Sequence, residues 1–128
     1  MMEQKKRAWL YCRVNTGDLS LIEDQKKGLA AYAERMGYKV VGESHDIGSG
    51  LNYERDGITE ISDAAATGRM DTVFIKAFSC LGRDTYQTLK YIEQLNQSGV
   101  EVFSLAEGAI KIIVQDETIS DFASKMQL

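Results

Sequence analysis

Proline is absent from this 128-residue chain, which has only two cysteines, one histidine and one tryptophan. Without proline or a low-complexity stretch, nothing marks a linker, so we expect one compact domain spanning residues 1 to 128. Cys12 and Cys80 are too few to build a disulfide framework or a metal-ligand cluster, and their presence fits a reducing cytoplasm. A histidine-dependent catalytic triad would have to use His45, which we expect to be a surface residue at a strand end.

Long apolar runs and a positive net charge are also missing. The apolar run near the amino terminus, "AWLYC", is interrupted by Arg13 after five residues. We therefore expect neither a signal peptide nor a membrane span, which needs about 20 apolar residues. The formal net charge is −4 and the pI is about 5.0. A domain that binds DNA alone is usually basic, so this charge argues against a self-sufficient DNA binder but leaves room for local basic sites.

Apolar residues recur with strand and helix periods in alternation along the chain. Short apolar runs predict strands at residues 7 to 14, 38 to 46, 71 to 78 and 100 to 108, with a candidate fifth at 109 to 115. Helical spacing predicts helices at 20 to 37, 57 to 68 and 83 to 99, and the start of a long helix at about 116 to 128. Ser20 is the expected N-cap of the first helix, and Gly37, Gly68 and Gly99 are the expected stops.

This alternation predicts an α/β fold, a three-layer sandwich with a mainly parallel, four- to five-stranded sheet of flavodoxin-like topology. Ligands of such sheets bind at the carboxyl ends of the strands. Three loops follow strand ends, at residues 13 to 20, 46 to 55 and 76 to 84. We therefore expect these loops to form one site.

Each of the three loops supplies an arginine to this expected site: Arg13, Arg55 and Arg83. Bringing three arginines together is costly unless an anion neutralises them, and a planar guanidinium can bind two phosphodiester oxygens at once. Other polar or reactive residues of the second and third loops are Asp46, Ser49, Ser79 and Cys80. The third loop also leads into a helix, whose free N–H groups favour an anion.

Taken singly, these features are weak. A lone arginine is more often a solvated surface residue than a ligand, and "NTG" is an ordinary turn. Cys12 is expected in the core, and Cys80 has no activating base near it in the sequence. Glu23 and Asp24 are expected on a solvated helix face, and residues 5 to 7 at a solvated terminus.

Four motifs in order are more specific: "YCRVNT", "SLIEDQ", "DIGSGLNYERDG" and "KAFSCLGRD". Together they resemble the catalytic domain of the serine recombinases, the resolvase and invertase family, over nearly the whole chain. Six residues match the family's site residues: Arg13, Gln25, Asp46, Ser49, Arg55 and Arg83.

The resemblance implies a mechanism. In this family a serine hydroxyl attacks a DNA phosphodiester to give a 5′-phosphoseryl link and a free 3′-hydroxyl, while arginines stabilise the transition state. No metal or cofactor takes part. The implied partners are double-stranded recombination-site DNA, bound through a full-length protein with a DNA-binding region absent from this chain, and further copies that form dimers and synaptic tetramers.

Two key positions depart from the family pattern. Asn15 stands where the resemblance places the nucleophilic serine, and Cys80 stands where it places an arginine; Ser79 replaces a more variable acidic residue. A carboxamide can hydrogen-bond a phosphate but cannot form the covalent phosphoester. Thr16 should point the opposite way from residue 15, and Ser20 should cap a helix, so neither is expected to replace the nucleophile. We therefore expect the chemistry to be impaired.

Other functions remain open. The chain could be a non-catalytic module that dimerises and regulates an active recombinase, as its acidic charge and two substitutions suggest. A flavodoxin would share the sheet, but "VNTGDLS" only loosely resembles a flavin-phosphate loop. A cysteine phosphatase would need a cysteine-to-arginine spacing that neither "CRVNTGD" nor "CLGRD" supplies.

Overall fold

The computed structural model of the chain describes residues 5 to 15, 18 to 48, 56 to 82 and 84 to 111. Strands and helices alternate along it, as the apolar periods predict. In chain order the elements are β1 (Arg7–Val14), α1 (Leu19–Arg35), β2 (Lys39–Ile47), α2 (Asp56–Ala66), β3 (Thr72–Ile75), a 3₁₀ turn (Phe78–Cys80), α3 (Thr85–Gln97), β4 (Glu101–Ser104) and β5 (Gly108–Ile110). The predicted helix at 116 to 128 lies outside the described residues.

The five strands form one sheet in the order β2-β1-β3-β4-β5. Strands β1 to β4 are parallel, and β5 returns antiparallel to β4. The mainly parallel sheet predicted from the sequence is thus confirmed. Because the strands are parallel, β1, β2 and β3 all end at the same edge of the sheet, where Arg13 pairs in register with Asp46.

The helices cover both faces of the sheet, and alternate residues of β1 face opposite layers. Ala8, Leu10 and Cys12 pack in a cluster that includes two buried residues of α1, Leu29 and Ala33. Trp9 and Tyr11 belong to the cluster on the other face, with the apolar residues of α2 and α3 (Ile58, Ile61, Leu89, Ile92). This two-residue alternation gives the predicted three layers, with Cys12 in the core.

The first helix begins one residue earlier than expected, and its N-cap is not Ser20. Asp18 holds that position, because its Oδ1 accepts hydrogen bonds from the Ser20 N–H at 2.9 Å and the Ser20 hydroxyl at 2.7 Å. These donors stabilise the ionised carboxylate and lower the pKa of Asp18. The predicted helix stops are right: Gly37, Gly68 and Gly99 have φ values of 88°, 68° and 84°, the left-handed backbone that glycine adopts without strain.

Strands β3 and β4 are shorter than predicted. The apolar Ala77 and Phe78 resemble a continuing strand in the sequence, but the chain turns after Ile75, and the Cys80 N–H donates to the Ala77 carbonyl at 2.9 Å. Residues 105 to 107 likewise turn back into β5. The described part of the chain has no helix long and apolar enough to cross a membrane.

Candidate active site

Arg13 lies near the end of β1 and contacts all three of the loops described above. Its Nη1 donates to the Gly48 carbonyl, just after β2, and to the Asn15 Oδ1 at 3.3 Å. Its Nη2 donates to the Ser79 carbonyl at 3.3 Å. The Arg13 guanidinium therefore contacts described residues in all three loops, at residues 13 to 20, 46 to 55 and 76 to 84.

Arg13 and Asn15 line a cavity of about 680 Å³ at the carboxyl ends of the strands. Its other polar lining residues are Asp24, Gln25 and Lys76, and Leu21, Leu29 and Leu105 are among the apolar ones. Two buried side-chain atoms, Arg13 Nε and Gln25 Oε1, have no hydrogen-bond partner among the described residues. Buried polar atoms nearly always have partners, so these two lining residues are candidates for contact with a ligand.

Asp46 is buried near the end of β2 and organises the start of α2. Its Oδ2 accepts from the Tyr11 hydroxyl at 2.7 Å and the Ile58 N–H at 3.1 Å, and its Oδ1 accepts from the Gly57 N–H at 2.8 Å. A negative charge at a helix N-terminus is favoured by the free N–H groups and the helix dipole. Asp46 thus holds β1, β2 and α2 together.

The two substituted positions differ in exposure. Asn15 is exposed, whereas Cys80 is 8% exposed and belongs to the core. Ser79 is exposed, and the atom that Arg13 contacts is its backbone carbonyl, not its hydroxyl. Three other residues proposed from the sequence, Ser49, Arg55 and Arg83, lie outside the described residues, as does Thr16.

Cys12 is a buried thiol with an altered proton affinity. Burial raises the pKa of Cys12 to about 12 because the thiolate would lose its hydration. The thiol therefore stays protonated at neutral pH, and its role is in packing. Within the described ranges, no group of three or more His, Cys, Asp or Glu side chains is arranged to hold a metal ion.

The structure adds detail to several expectations about exposed residues. Asp24 is exposed as predicted but also lines the cavity. Arg7 is not a free terminal charge, because its guanidinium bonds the Asp71 carboxylate. His45 lies near the end of β2, as predicted, and is half-buried.

Lys76 and Glu107 were not selected from the sequence. Lys76 could have been found, since it directly follows β3 and is the first residue of the fourth motif. Glu107 gave no local signal, because its carboxylate accepts from the Phe78 N–H, 29 residues away.

Comparison with known proteins agrees with this fold. The family model described as "Resolvase, N terminal domain" matches residues 8–127. The chain is 27% identical over 106 residues to serine recombinase PinR of Escherichia coli K12, and 29% identical over 106 residues to the Tn2501 transposon resolvase of Escherichia coli. The crystal structure of the N-terminal catalytic domain of TP901-1 integrase superposes with a TM-score of 0.74 at 27% identity, covering 95% of this chain and 92% of that one.

The chain belongs to the resolvase N-terminal domain family, the family of the serine recombinase catalytic domains. The two Escherichia coli relatives are matched over 83% of this chain but 53% of their own length. The chain thus spans about half the length of the curated relatives it matches. The resemblance inferred from the four motifs is confirmed.

Proposed function

We propose that this chain is the catalytic domain of a site-specific DNA recombinase and that a DNA phosphodiester occupies the cavity beside Arg13. The observation that carries this proposal is the position of the Arg13 guanidinium. The guanidinium contacts three loops at once. Arg13 and Gln25 line the same cavity, and the buried Nε of Arg13 has no partner among the described residues. A guanidinium with an unused donor in a cavity is well suited to a phosphate oxygen.

The other residues of the site take roles that follow from the family motifs. Arg55 and Arg83 would complete the positive surface around the phosphate, with Ser49 and Gln25 as hydrogen-bonding neighbours and Asp46 as the support of α2. Lys76 adds a further cation to the described lining of the cavity. These charges would stabilise the negative charge that develops as a phosphodiester is attacked.

The covalent step is impaired as the sequence is written. The residue at the nucleophile position, Asn15, is a carboxamide whose oxygen already accepts from Arg13. An amide cannot form a phosphoester, and Cys80 supplies no fixed charge in place of an arginine. Loss of a nucleophile lowers a rate by orders of magnitude, so we expect no detectable strand cleavage by the wild-type sequence.

The test restores both positions in the complete natural protein that contains this chain. Asn15→Ser combined with Cys80→Arg should give a covalent protein–DNA adduct on a duplex carrying the recombination site, visible as a band that survives denaturation. Asn15→Ala combined with Cys80→Arg is the matched control, because it has the arginine without a nucleophile, and it should give none.

Cys80 is buried, so circular dichroism must show that both double variants remain folded; a long arginine can extend its charged end to solvent from such a position. The absence of an adduct from the folded serine variant would contradict the proposal.

Asn15 also favours a second function, a non-catalytic module that assembles with an active relative. In this hypothesis the chain keeps the family fold, forms homodimers or mixed dimers and tetramers, and blocks strand exchange because its subunit cannot cleave. Sedimentation of the complete protein, alone and mixed with an active homologue, tests this. A protein that stays strictly monomeric in both experiments would contradict it.

A further inference from the structure

The turn between β4 and β5 is bonded along the start of the third loop. The Leu105 N–H donates to the Ile75 carbonyl at 2.9 Å, and the Ala106 N–H donates to the Lys76 carbonyl at 3.0 Å. Glu107 then continues this contact with its side chain, because its Oε1 accepts from the Phe78 N–H at 2.9 Å. Residues 105 to 107 therefore follow the chain from the end of β3 into the 3₁₀ turn.

The Glu107 carboxylate is itself held in place. The buried Ser104 hydroxyl donates to Glu107 Oε1, and the Glu107 N–H donates to Ser104 Oγ at 3.3 Å. This reciprocal pair fixes the side chain at the end of β4, so that its oxygen meets the first N–H of the 3₁₀ turn. An N–H to carboxylate bond is stronger than a bond between neutral groups.

The turn held by Glu107 is the one that contacts Arg13. Residue 79 follows Phe78 directly, and its carbonyl accepts from Arg13 Nη2 at 3.3 Å. Leu105, in the same β4–β5 turn, lines the cavity with Arg13. Displacing Phe78 would therefore displace one of the two carbonyls that hold the Arg13 guanidinium.

We propose that Glu107 is a positioning residue that fixes the third loop and, through the Ser79 carbonyl, sets the orientation of Arg13. It acts through other residues and does not itself contact a ligand. The inference rests on the proposed function only in regarding Arg13 as the phosphate-binding group. Its test needs no DNA, so failure of the recombinase proposal in the adduct assay would be distinguishable from failure here.

The experiment uses ¹⁵N-labelled chain with Glu107→Ala, Glu107→Gln and the control Glu34→Ala, which changes an exposed glutamate on α1. One readout is hydrogen exchange at the Phe78 amide, and the other is the Arg13 Nε–Hε resonance, assigned with Arg13→Lys. In Glu107→Ala the Phe78 amide should exchange about threefold to tenfold faster, and the Arg13 resonance should shift or broaden. Glu107→Gln keeps an acceptor oxygen and should stay closer to the wild type, while Glu34→Ala should match it.

Three results would overturn the proposal. The Phe78 amide could exchange at the wild-type rate in Glu107→Ala, in which case Glu107 does not fix the loop. It could exchange faster while the Arg13 resonance is unchanged, in which case the loop does not orient Arg13. Finally, the buried α3 amides of Leu89 and Ile92 could accelerate by the same factor as Phe78, which would make Glu107 a general stabilising residue.

Discussion

Asp46 connects three elements with a single carboxylate. It accepts hydrogen bonds from a side chain of β1 and from two backbone N–H groups at the start of α2 while buried in β2. At such a position the chemistry of one residue affects stability strongly, because an unsatisfied buried donor costs much more than an exposed one.

Replacing Asp46 with asparagine tests this at the residue scale. One carboxylate oxygen becomes an NH₂ group that faces donors, so we expect unfolding free energy to fall by about 1–3 kcal/mol. Asp63→Asn, an exposed change on α2, should have little effect. Urea unfolding at neutral pH measures both, and equal stability of the two variants would contradict the role given to Asp46.

Cys12 offers a second prediction at this scale. Its ordinary pKa of 9.0 is raised to about 12 by burial, so the protonated thiol contributes stability in full below pH 9, and that contribution is lost as the pH rises toward 12. In a Cys80→Ser background, iodoacetamide at pH 9 should label Cys12 only when urea unfolds the protein. Mass spectrometry counts the labels, and rapid labelling of the folded protein would show that the thiol is accessible.

At the scale of elements, α2 packs closely on β2 through Gly57. A Cβ added there would lie 2.5 Å from the His45 carbonyl oxygen and 2.7 Å from Asp46 Oδ2. Gly28, within α1, has no atom within 4 Å of such a Cβ. Gly57 is therefore required by the close packing of α2 on β2, whereas Gly28 only lowers the helix propensity of α1.

Alanine at these two positions should move stability in opposite directions. Gly57→Ala must displace backbone and should destabilise the fold, whereas Gly28→Ala should stabilise it by about 0.5–1 kcal/mol, the difference in helix propensity. Thermal unfolding of both variants decides this. A Gly57→Ala protein as stable as the wild type would mean that α2 can shift without cost.

At the scale of the whole molecule, Arg7 joins the start of β1 to the segment that precedes β3. Its Nη2 lies 3.1 Å from Asp71 Oδ1, its backbone N–H donates to Asp71 Oδ2 at 2.7 Å, and Nη1 donates to the Gly68 carbonyl at 2.8 Å. The hydrogen bond from the Arg7 side chain lowers the pKa of Asp71 below its ordinary 3.8 and raises the pKa of Arg7. The end of the sheet opposite the candidate site thus has its own polar connection.

This pair should contribute to acid sensitivity. Because the folded pKa of Asp71 is the lower one, the stabilisation is complete above the unfolded value near 3.8 and disappears as the pH falls through the folded pKa. Asp71→Asn should be less stable than the wild type at pH 6, and this difference in unfolding free energy should disappear toward pH 2.5. The difference should be small even at pH 6, since the pair is partly exposed. Urea unfolding midpoints of both proteins across this pH range test it.

Much of this protein is determined by spacing within a few residues. The apolar run in residues 7 to 14 and helical spacing in α1 to α3 fix the order of the elements. That order requires a mainly parallel sheet with helices on both faces. The carboxyl ends of its strands then collect the loops that contain Arg13, Gly48 and Ser79. The four motifs that indicate the family lie on these same segments.

Only the tertiary structure decided two kinds of feature. These are contacts between residues far apart in the sequence and choices between local partners of similar quality. Asp18 rather than Ser20 caps α1, a choice between two good capping residues that lie two positions apart. The burial of Cys80, the pairing of Arg7 with Asp71 and the bond from Phe78 to Glu107 each depend on packing between segments far apart in the sequence. Local patterns specify elements because propensity acts over one or two turns, whereas these partners are chosen only when the packed sheet brings them together.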